Sequence, residues 1–224
     1  MAPFITRLPS KGDRNDFIDI DVHEIIQKPF GDRRCGEWHR NVQPVIDSIP
    51  NRADAGWDWN LKIPMAAFMG GMVRQPRLFQ VTAGPSAHPA AMIAILLNER
   101  CFYSAGPAAF LWYLSTAPDP CIKVQTRGGR IDSPGMLGLA ALDVALTLSL
   151  HSPCNGRMWL HAAPQGGNAL LHWYGLSAVA NRVPSESYGT LPGAPFMGRR
   201  NDERYFAFTT ETALWAHARF STWR

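Results

Sequence analysis

The segment from residue 136 to residue 150 constrains the fold of this chain most. It is almost wholly apolar and helix-forming, and it contains neither Gly nor Pro after Gly138. A helix that is apolar nearly all round is buried, so we predict that this one lies between a sheet and other elements. Asp143 interrupts the apolar run, which is also too short to cross a bilayer, so no membrane segment is predicted.

A glycine-rich loop leads into this helix, and residues 127–138 read RGGRIDSPGMLG. Main-chain N–H groups at the start of a helix are unpaired, and together with the helix dipole they make a site for an anion. Glycine lets a ligand approach the main chain closely. The pattern predicts a pyrophosphate site. In the alternative, Asp132 and Ser133 cap the helix, and Arg127 and Arg130 are solvated.

Strand patterns lie on both sides of the helix. Residues 78–83, 91–97 and 109–116 predict an antiparallel meander, and the continuous apolar run at 91–97 is typical of a strand buried on both faces. A strand at 156–163 and a helix at 167–175 follow, so strand, helix and strand alternate as in a βαβ unit. Residues 179–183 and 205–209 predict the last two strands, and residues 212–223 a terminal helix.

The first fifty residues look like a separate element. Residues 21–26 have an acidic start and predict a short helix, and residues 38–49 predict a second helix interrupted at Pro44. We therefore expect an N-terminal helical extension over residues 1–50 and the main domain over residues 51–224. Residues 184–202 predict a loop that is long for a compact domain, which indicates function or mobility.

Composition excludes several classes of protein. A chain of 224 residues with 46% hydrophobic and 18% charged residues is typical of one sizeable globular core. The N-terminus lacks the pattern of a secretory signal, so we expect a cytoplasmic protein. The four cysteines are scattered without the spacing of a zinc site or a disulfide framework, so no metal is expected. The net charge of +4 suits an anionic cofactor, an acidic partner or weak nucleic-acid contact, but the dispersed arginines favour a solvated surface.

Taken together, these segments resemble the GNAT superfamily of acyl-coenzyme A dependent N-acetyltransferases, from about residue 57 to residue 208. Residues 109–118 look like the fourth strand of the family, residues 135–140 like its pyrophosphate loop, residues 156–162 like its fifth strand and residues 167–174 like the helix that follows. The resemblance implies an α/β (α+β) fold with a mixed, mostly antiparallel central sheet, splayed middle strands and flanking helices. It also implies acetyl-CoA, or another acyl-CoA, as cofactor.

The resemblance assigns cofactor-binding roles to the fourth strand, whose main chain holds the thioester carbonyl, and to the loop and helix start. These residues are Leu114, Ser115, Thr116, Arg127, Arg130, Gly135, Met136, Leu137, Gly138 and Leu139. Family loops carry Arg or Gln at the position of Gly135, so we expect Arg127 or Arg130 to contact phosphate here, since a guanidinium suits that group.

Two catalytic roles, an acid and a base, have candidate residues. Tyr174 matches the family tyrosine that protonates the departing coenzyme A thiolate. The acceptor amine must lose a proton, and with a pKa near 10.4 a free lysine is neutral only about once in 2,500 molecules at pH 7, a cost of roughly 4.6 kcal/mol. A base therefore helps. Glu99 and His161 are the candidates, and strand alternation turns His161 toward the cleft. A structural role for His161 and a core position for Tyr174 are the alternatives.

Three functions are compatible with the resemblance. The leading one is transfer of acetyl from acetyl-CoA to an amine on a small molecule, peptide or protein. The second is a catalytically degenerate binding module of the same fold. The third is a bacterial toxin that acylates a macromolecule such as aminoacyl-tRNA, which the pI near 9.0 slightly supports. Residues 21–49 and 184–202 are expected to build the acceptor pocket, with Trp57, Trp59 and Tyr188 as candidate lining aromatics. The acceptor itself and a homodimer stay open.

Overall fold

A computed structural model of the chain describes residues 4–25, 33–62, 75–100, 107–184 and 202–224. Within these ranges the backbone forms ten strands. They are β1 (Arg7–Pro9), β2 (Phe17–Glu24), β3 (Gln75–Ala83), β4 (His88–Arg100), β5 (Pro107–Thr116), β6 (Val124–Gln125), β7 (Ile131–Asp132), β8 (Met158–His161), β9 (Asn181–Arg182) and β10 (Tyr205–Phe208).

Five α-helical segments flank the strands in the described part of the chain, besides a helical stretch at residues 59–62 that ends at the border of a described range. They are α1 (Arg33–Glu37), α2 (Gln43–Ser48), α3 (Leu137–Leu150), α4 (Gly167–His172) and α5 (Thr210–Ala218). A π-helical turn at Trp38–Val42 joins α1 to α2, and another at Trp173–Ser177 continues α4. Pro44 lies two residues after the π-helical turn ends, so the predicted interruption is a change of helix type beside Pro44, and the helical run continues through it.

The central sheet has the strand order β1-β2-β3-β4-β5-β8-β10-β9, and β6 and β7 form a separate hairpin. Neighbouring strands are antiparallel except β5 and β8, which are parallel and are joined by the crossover through α3. The predicted fold class is therefore confirmed: the chain has a mixed, mostly antiparallel central sheet flanked by helices.

Helix α3 is buried as its composition predicts. It packs against β4, β5 and α5, and its side chains from Ala140 to Ser149 are buried on every face. Burying a Leu or Val side chain fully contributes about 1.5–3 kcal/mol, so this helix anchors one face of the sheet. The predicted meander and the predicted last strands are likewise found as β3, β4, β5, β9 and β10.

The predicted helix at residues 21–26 is wrong over its described residues. Phe17–Glu24 is strand β2, which pairs with β3 from Ile20↔Ala83 to Glu24↔Phe79. The segment reads FIDIDVHE, in which buried Ile18 and Ile20 alternate with acidic residues. This period of two suits a half-buried strand, and it outweighs the helix-start signal of the acidic residues. The first fifty residues thus supply two sheet strands as well as helices.

Candidate functional site

A cavity of about 660 Å³ opens where β5 and β8 separate. The two strands pair over only three residues each, Ala109–Leu111 with Met158–Leu160. Strand β5 continues to Thr116, whereas β8 ends at His161. The cavity is lined by both strands, by the start of α3 and by the segment from Pro164 to Tyr174. Its volume lies within the ordinary range for small-molecule and cofactor sites.

A β-bulge at Trp112 bends β5 at the mouth of this cavity. On β4, Ala94 and Ile95 are consecutive, but they pair with Tyr113 and Leu111, so Trp112 is the extra residue. A bulge leaves the extra residue unpaired and increases the local twist. Because the bulge directly follows the last residue paired with β8, it marks the point where the two strands diverge.

The start of α3 is an open helix terminus. No side chain caps it, and Met136 precedes the helix in the left-handed region with a φ of 56°. Within the described residues, the main-chain N–H groups of Leu137, Gly138 and Leu139 have no hydrogen-bond partner. An uncapped terminus of this kind favours an anion. Gly138 lines the cavity, so the terminus faces the cavity at this residue.

The residues proposed as alternative caps have other partners. Asp132 accepts hydrogen bonds from the Ser10 hydroxyl at 2.7 Å and from the Gly12 N–H at 2.7 Å. These bonds lower the pKa of Asp132, the Ser10 bond most. The Ser133 hydroxyl donates to the carbonyl of Asp119. Neither side chain reaches the helix start, so the capping alternative is wrong.

The two loop glycines have different surroundings. The N–H of Gly135 donates to the carbonyl of Pro9 at 2.7 Å, so this N–H is already hydrogen-bonded to strand β1. A Cβ at Gly138 would lie 3.2 Å from the Trp173 ring, and the glycine therefore lets that ring pack against the helix start. Met136 is exposed beside them, and Leu137 is buried.

Arg127 and Arg130 lie away from the cavity, on the hairpin of β6 and β7. Arg127 pairs with Asp19 at 2.5 Å, and Arg130 pairs with Asp13 at 2.8 Å and with Asp16 at 3.1 Å. Both arginine side chains are half exposed and neither lines the cavity. Their contact with phosphate stays a prediction, and it would require these pairs to break.

The end of β5 is fixed by an ion pair from the preceding loop. Leu114 and Thr116 line the cavity, whereas Ser115 is buried and its hydroxyl donates to Asp54. Arg52 pairs with Asp54 at 2.7 Å and donates to the Thr116 carbonyl. Arg52 and Asp54 are not predicted as site residues from the sequence, because nothing in the local pattern indicates which strand they contact.

Tyr174 lies at the cavity wall opposite β5, in the π-helical turn that continues α4. It is 7% exposed and packs against Trp173 and Phe206, with ring centroids 4.8 and 5.6 Å away. Its hydroxyl has no hydrogen-bond partner in the described ranges. Burial raises the pKa of Tyr174 well above that of a free phenol, so the hydroxyl stays protonated through the neutral range.

His161 is the last residue of β8 and lines the same cavity. Its Nε2 atom lies 3.0 Å from each carboxylate oxygen of Asp202, and its ring contacts the Tyr205 ring at a centroid distance of 4.7 Å. The contact with Asp202 is not predicted from the sequence, because 41 positions separate the two residues. Glu99, the other candidate base, lies near the end of β4, and its side chain is outside the described set.

The aromatic residues expected in an acceptor pocket are partly in place. Trp57 lines the cavity, and Trp59 is fully buried behind it, with the two ring centroids 6.1 Å apart. Both rings contact Tyr113 edge to face. Tyr188 lies outside the described residues.

Two further structural findings concern metals and membranes. The described ranges contain no group of three or more His, Cys, Asp or Glu side chains placed to hold a metal ion. Among the helices described, none combines the length and apolarity needed to span a membrane.

Comparison with known proteins yields structural similarity alone. No protein-family profile matches the chain, and no curated protein sequence matches it. A crystal structure of AtaTR bound with acetyl-CoA superposes with a TM-score of 0.44 and 13% identity, over 88% of this chain and 97% of the other. A tyrosine-to-phenylalanine mutant of the AtaT toxin, bound to the C-terminus of the antitoxin AtaR, superposes with a TM-score of 0.42 and 12% identity. The superposition covers 88% of this chain and 95% of the other. The same complex with acetyl-CoA superposes with a TM-score of 0.42 and 11% identity, over 89% of this chain and 99% of the other.

Proposed function

We propose that the chain is a GNAT-like N-acyltransferase that moves an acetyl group directly from acetyl-CoA to an amine. The observation that carries the proposal is the cavity between β5 and β8, which has an uncapped helix start at one side and Tyr174 and His161 in its wall. This set of groups suits a long ligand with an anionic end and a reactive thioester.

Each part of acetyl-CoA finds a complementary group. The free N–H groups at the start of α3 suit the pyrophosphate, as helix termini do in other phosphate sites. The diverging end of β5, from Trp112 to Leu114, leaves main-chain groups on the side away from β4 for the pantetheine arm and the thioester carbonyl. Main-chain donors aimed at that carbonyl would stabilise the charge that develops on its oxygen.

His161 is the proposed general base. Asp202 binds Nε2 and thereby leaves Nδ1 free to accept a proton, either directly from the acceptor amine or through a water molecule. Tyr174 is the proposed general acid. Even a free phenol of pKa near 10 transfers a proton uphill to a thiolate of pKa near 8.5, and burial raises the pKa of Tyr174 further, so its hydroxyl must lie close to the sulfur.

Ligand stabilisation provides the first test. A ligand present at 100 times its dissociation constant adds about 2.7 kcal/mol to the free energy of unfolding, so acetyl-CoA should raise the melting temperature clearly. Inorganic pyrophosphate and ADP serve as controls for the anion site alone. Absence of a shift with acetyl-CoA would rule out the proposed site.

Thiol release provides the second test, measured with a panel of amines. Tyr174→Phe should lower turnover by about 10²-fold, the lower end of the range for general acid catalysis, while acetyl-CoA still stabilises the variant. Unchanged turnover in Tyr174→Phe would remove Tyr174 from the mechanism.

A binding module without catalysis is the second candidate. The observation that favours it is the burial of the Tyr174 side chain, which raises the pKa of its hydroxyl and makes it a weaker acid for the thiolate. Stabilisation by acetyl-CoA without thiol release from any amine would support this candidate over the enzyme. The toxin hypothesis stays a prediction, and growth arrest on expression, relieved by Tyr174→Phe, would support it.

A further inference from the structure

Lys62 is the lysine that the described structure places in the cavity wall. The chain has four lysines, Lys11, Lys28, Lys62 and Lys123. Lys11 is half exposed and pairs with Asp119, and Lys123 is exposed on the surface. Lys28 lies outside the described residues. Because there are only four, the modification of each lysine can be measured separately.

Two aromatic rings hold the Lys62 ammonium in place. Its Nζ atom lies 3.8 Å from the centroid of the Tyr113 ring and 4.9 Å from that of Trp57. Ring faces attract a cation at such distances. No carboxylate in the described ranges lies within ion-pair distance of Lys62. Burial lowers the pKa of Lys62, and the more distant charge of Asp58 opposes this shift.

The place of Tyr113 in the fold connects this lysine to the proposed chemistry. Tyr113 directly follows the bulge residue Trp112, where β5 has already left β8. If the proposed function is correct, the thioester carbonyl lies along this part of β5. The Lys62 nitrogen, 3.8 Å from the Tyr113 ring, then lies beside this part of β5 and in the same cavity.

We propose that Lys62 is itself an acyl acceptor, modified by intramolecular transfer from an acyl-CoA bound between β5 and β8. This inference rests on the proposed function. In the step, the ammonium loses one proton to His161 or solvent, and the neutral Nζ attacks the carbonyl carbon. The N–C bond forms and the C–S bond breaks. The second nitrogen proton is released, and the thiolate takes one proton, so the products are the Nζ-amide, free coenzyme A and one net proton.

Acylation of Lys62 would change the acceptor side of the cavity. An amide carries no positive charge, so the attraction to the rings of Trp57 and Tyr113 is lost, and the added acyl group fills space between them. The modified chain should therefore transfer acyl groups to external amines more slowly than the unmodified chain.

The test uses the full chain incubated with acetyl-CoA, with peptide mass spectrometry of all four lysines over time. Lys62→Arg and Lys123→Arg form a matched pair of variants. We expect acetylation of Lys62 at least about tenfold faster than of Lys123, because a positioned amine reacts as part of the same molecule. The rate per chain should not depend on protein concentration. Acetic anhydride, which needs no binding site, should instead favour the exposed Lys123.

Melting temperatures of the same samples separate this inference from the function on which it rests. Stabilisation by acetyl-CoA with an unmodified Lys62 overturns the inference and leaves the proposed function standing. Equal acetylation of all lysines, unchanged in Tyr174→Phe, also overturns it, because such labelling needs no site. Absence of stabilisation overturns both. Selective labelling of Lys62, lost in Lys62→Arg and slowed in Tyr174→Phe, supports it.

Discussion

The imidazole of His161 and the carboxylate of Asp202 form a two-point contact, in which Nε2 lies 3.0 Å from both carboxylate oxygens. The register of the sheet creates this contact, because His161 at the end of β8 lies opposite Tyr205 at the start of β10. Asp202 lies just before that strand, and its carboxylate contacts Nε2 of the ring. A carboxylate on one ring nitrogen fixes the orientation and tautomer of the imidazole and leaves the other nitrogen free to take a proton.

The first prediction concerns this pair. His161→Gln should lower kcat by about 10²-fold, the lower end of the range for general base catalysis. Asp202→Asn keeps the shape but can present its amide to Nε2 and favour the wrong tautomer, so it should also lower kcat while the KM for acetyl-CoA changes little. Steady-state thiol release measures both.

His172→Gln is the matched control, because His172 is exposed on α4 and does not line the cavity. It should leave kcat unchanged. If Asp202→Asn lost activity only in proportion to a loss of folded protein, the carboxylate would have a structural role alone. A pH profile of kcat that differs between Asp202→Asn and the natural chain would support the positioning role.

Local sequence signals predicted much of the fold and less of the site. Helix α3 and the strands around it were predicted from apolar runs and hydrophobic periodicity, which are patterns among residues close together in the sequence. The site depends on contacts between distant segments. Arg52 reaches Thr116 across 64 positions, and Asp202 reaches His161 across 41. Such pairings are set by strand register, which no local pattern records, so the sequence indicated His161 but not its partner.

The loop into α3 shows the same limit. Its glycines predicted a phosphate site, and the open helix start is present. The sequence could not show that Gly135 packs on Pro9 of strand β1 or that Arg127 and Arg130 pair with acidic residues near β2. These partners come from a segment more than a hundred residues earlier, in which the acidic residues of strand β2 also resemble a helix start.

The second prediction distinguishes the two loop glycines. At Gly135 a Cβ would lie 3.1 Å from the Pro9 carbonyl oxygen, which belongs to the main chain and cannot swing aside. Gly135→Ala should therefore destabilise the fold by about 1–3 kcal/mol, as overpacking does. At Gly138 the added methyl meets Trp173 and narrows the cavity. Gly138→Ala should weaken acetyl-CoA binding by about tenfold, or roughly 1.4 kcal/mol.

Gly175→Ala is the control for both glycine variants. Its Cβ would meet the Phe206 ring at an ordinary contact distance of 3.9 Å, so neither stability nor binding should fall. Urea unfolding and calorimetric titration with acetyl-CoA provide the two measurements. Equal losses of stability in all three variants would contradict the assignment of distinct roles.

The third prediction concerns acid stability. Asp16 accepts hydrogen bonds from the Thr126 hydroxyl at 2.5 Å and the Gly128 N–H at 2.8 Å, and Arg130 lies beside it. Together these contacts lower the pKa of Asp16 to about 2, and the hydrogen bond from Thr126 has the largest effect. The pKa of Asp16 is lower in the folded chain than in the unfolded chain. Its ionised carboxylate therefore contributes fully to the free energy of unfolding above about pH 4, and this contribution is lost as the pH falls toward 2.

Asp16→Asn should remove that part of the pH dependence. Urea midpoints of the two proteins should differ most near neutral pH and converge at about pH 2. Asp119→Asn is the control, because its carboxylate is half exposed and pairs only with the exposed Lys11 within the described structure. A gap between Asp16→Asn and the natural chain that stayed constant with pH would show that the effect comes from packing instead of ionisation.

The last prediction concerns a buried carboxylate on α3. Asp143 is 1% exposed, and both of its oxygens lie 2.8 Å from Nη2 of Arg224, while His217 approaches Oδ1 at 3.0 Å. Removing one partner of a buried ion pair leaves an uncompensated charge and typically costs about 3–5 kcal/mol. Arg224→Met should therefore destabilise the chain strongly. Arg224→Met combined with Asp143→Leu should recover much of the loss, because no charge is then left buried.

Urea unfolding measures the cost of each change at Asp143 and Arg224, and Arg182→Met is the matched control. Arg182 pairs with Glu203, but both side chains are more than half exposed, so this pair should contribute less than about 1 kcal/mol. A loss in Arg224→Met no larger than that in Arg182→Met would mean that solvent reaches Asp143 once Arg224 is removed. A double variant less stable than Arg224→Met would mean that His217 and Thr147, which contact each other at 3.2 Å, depend on the carboxylate for their own placement.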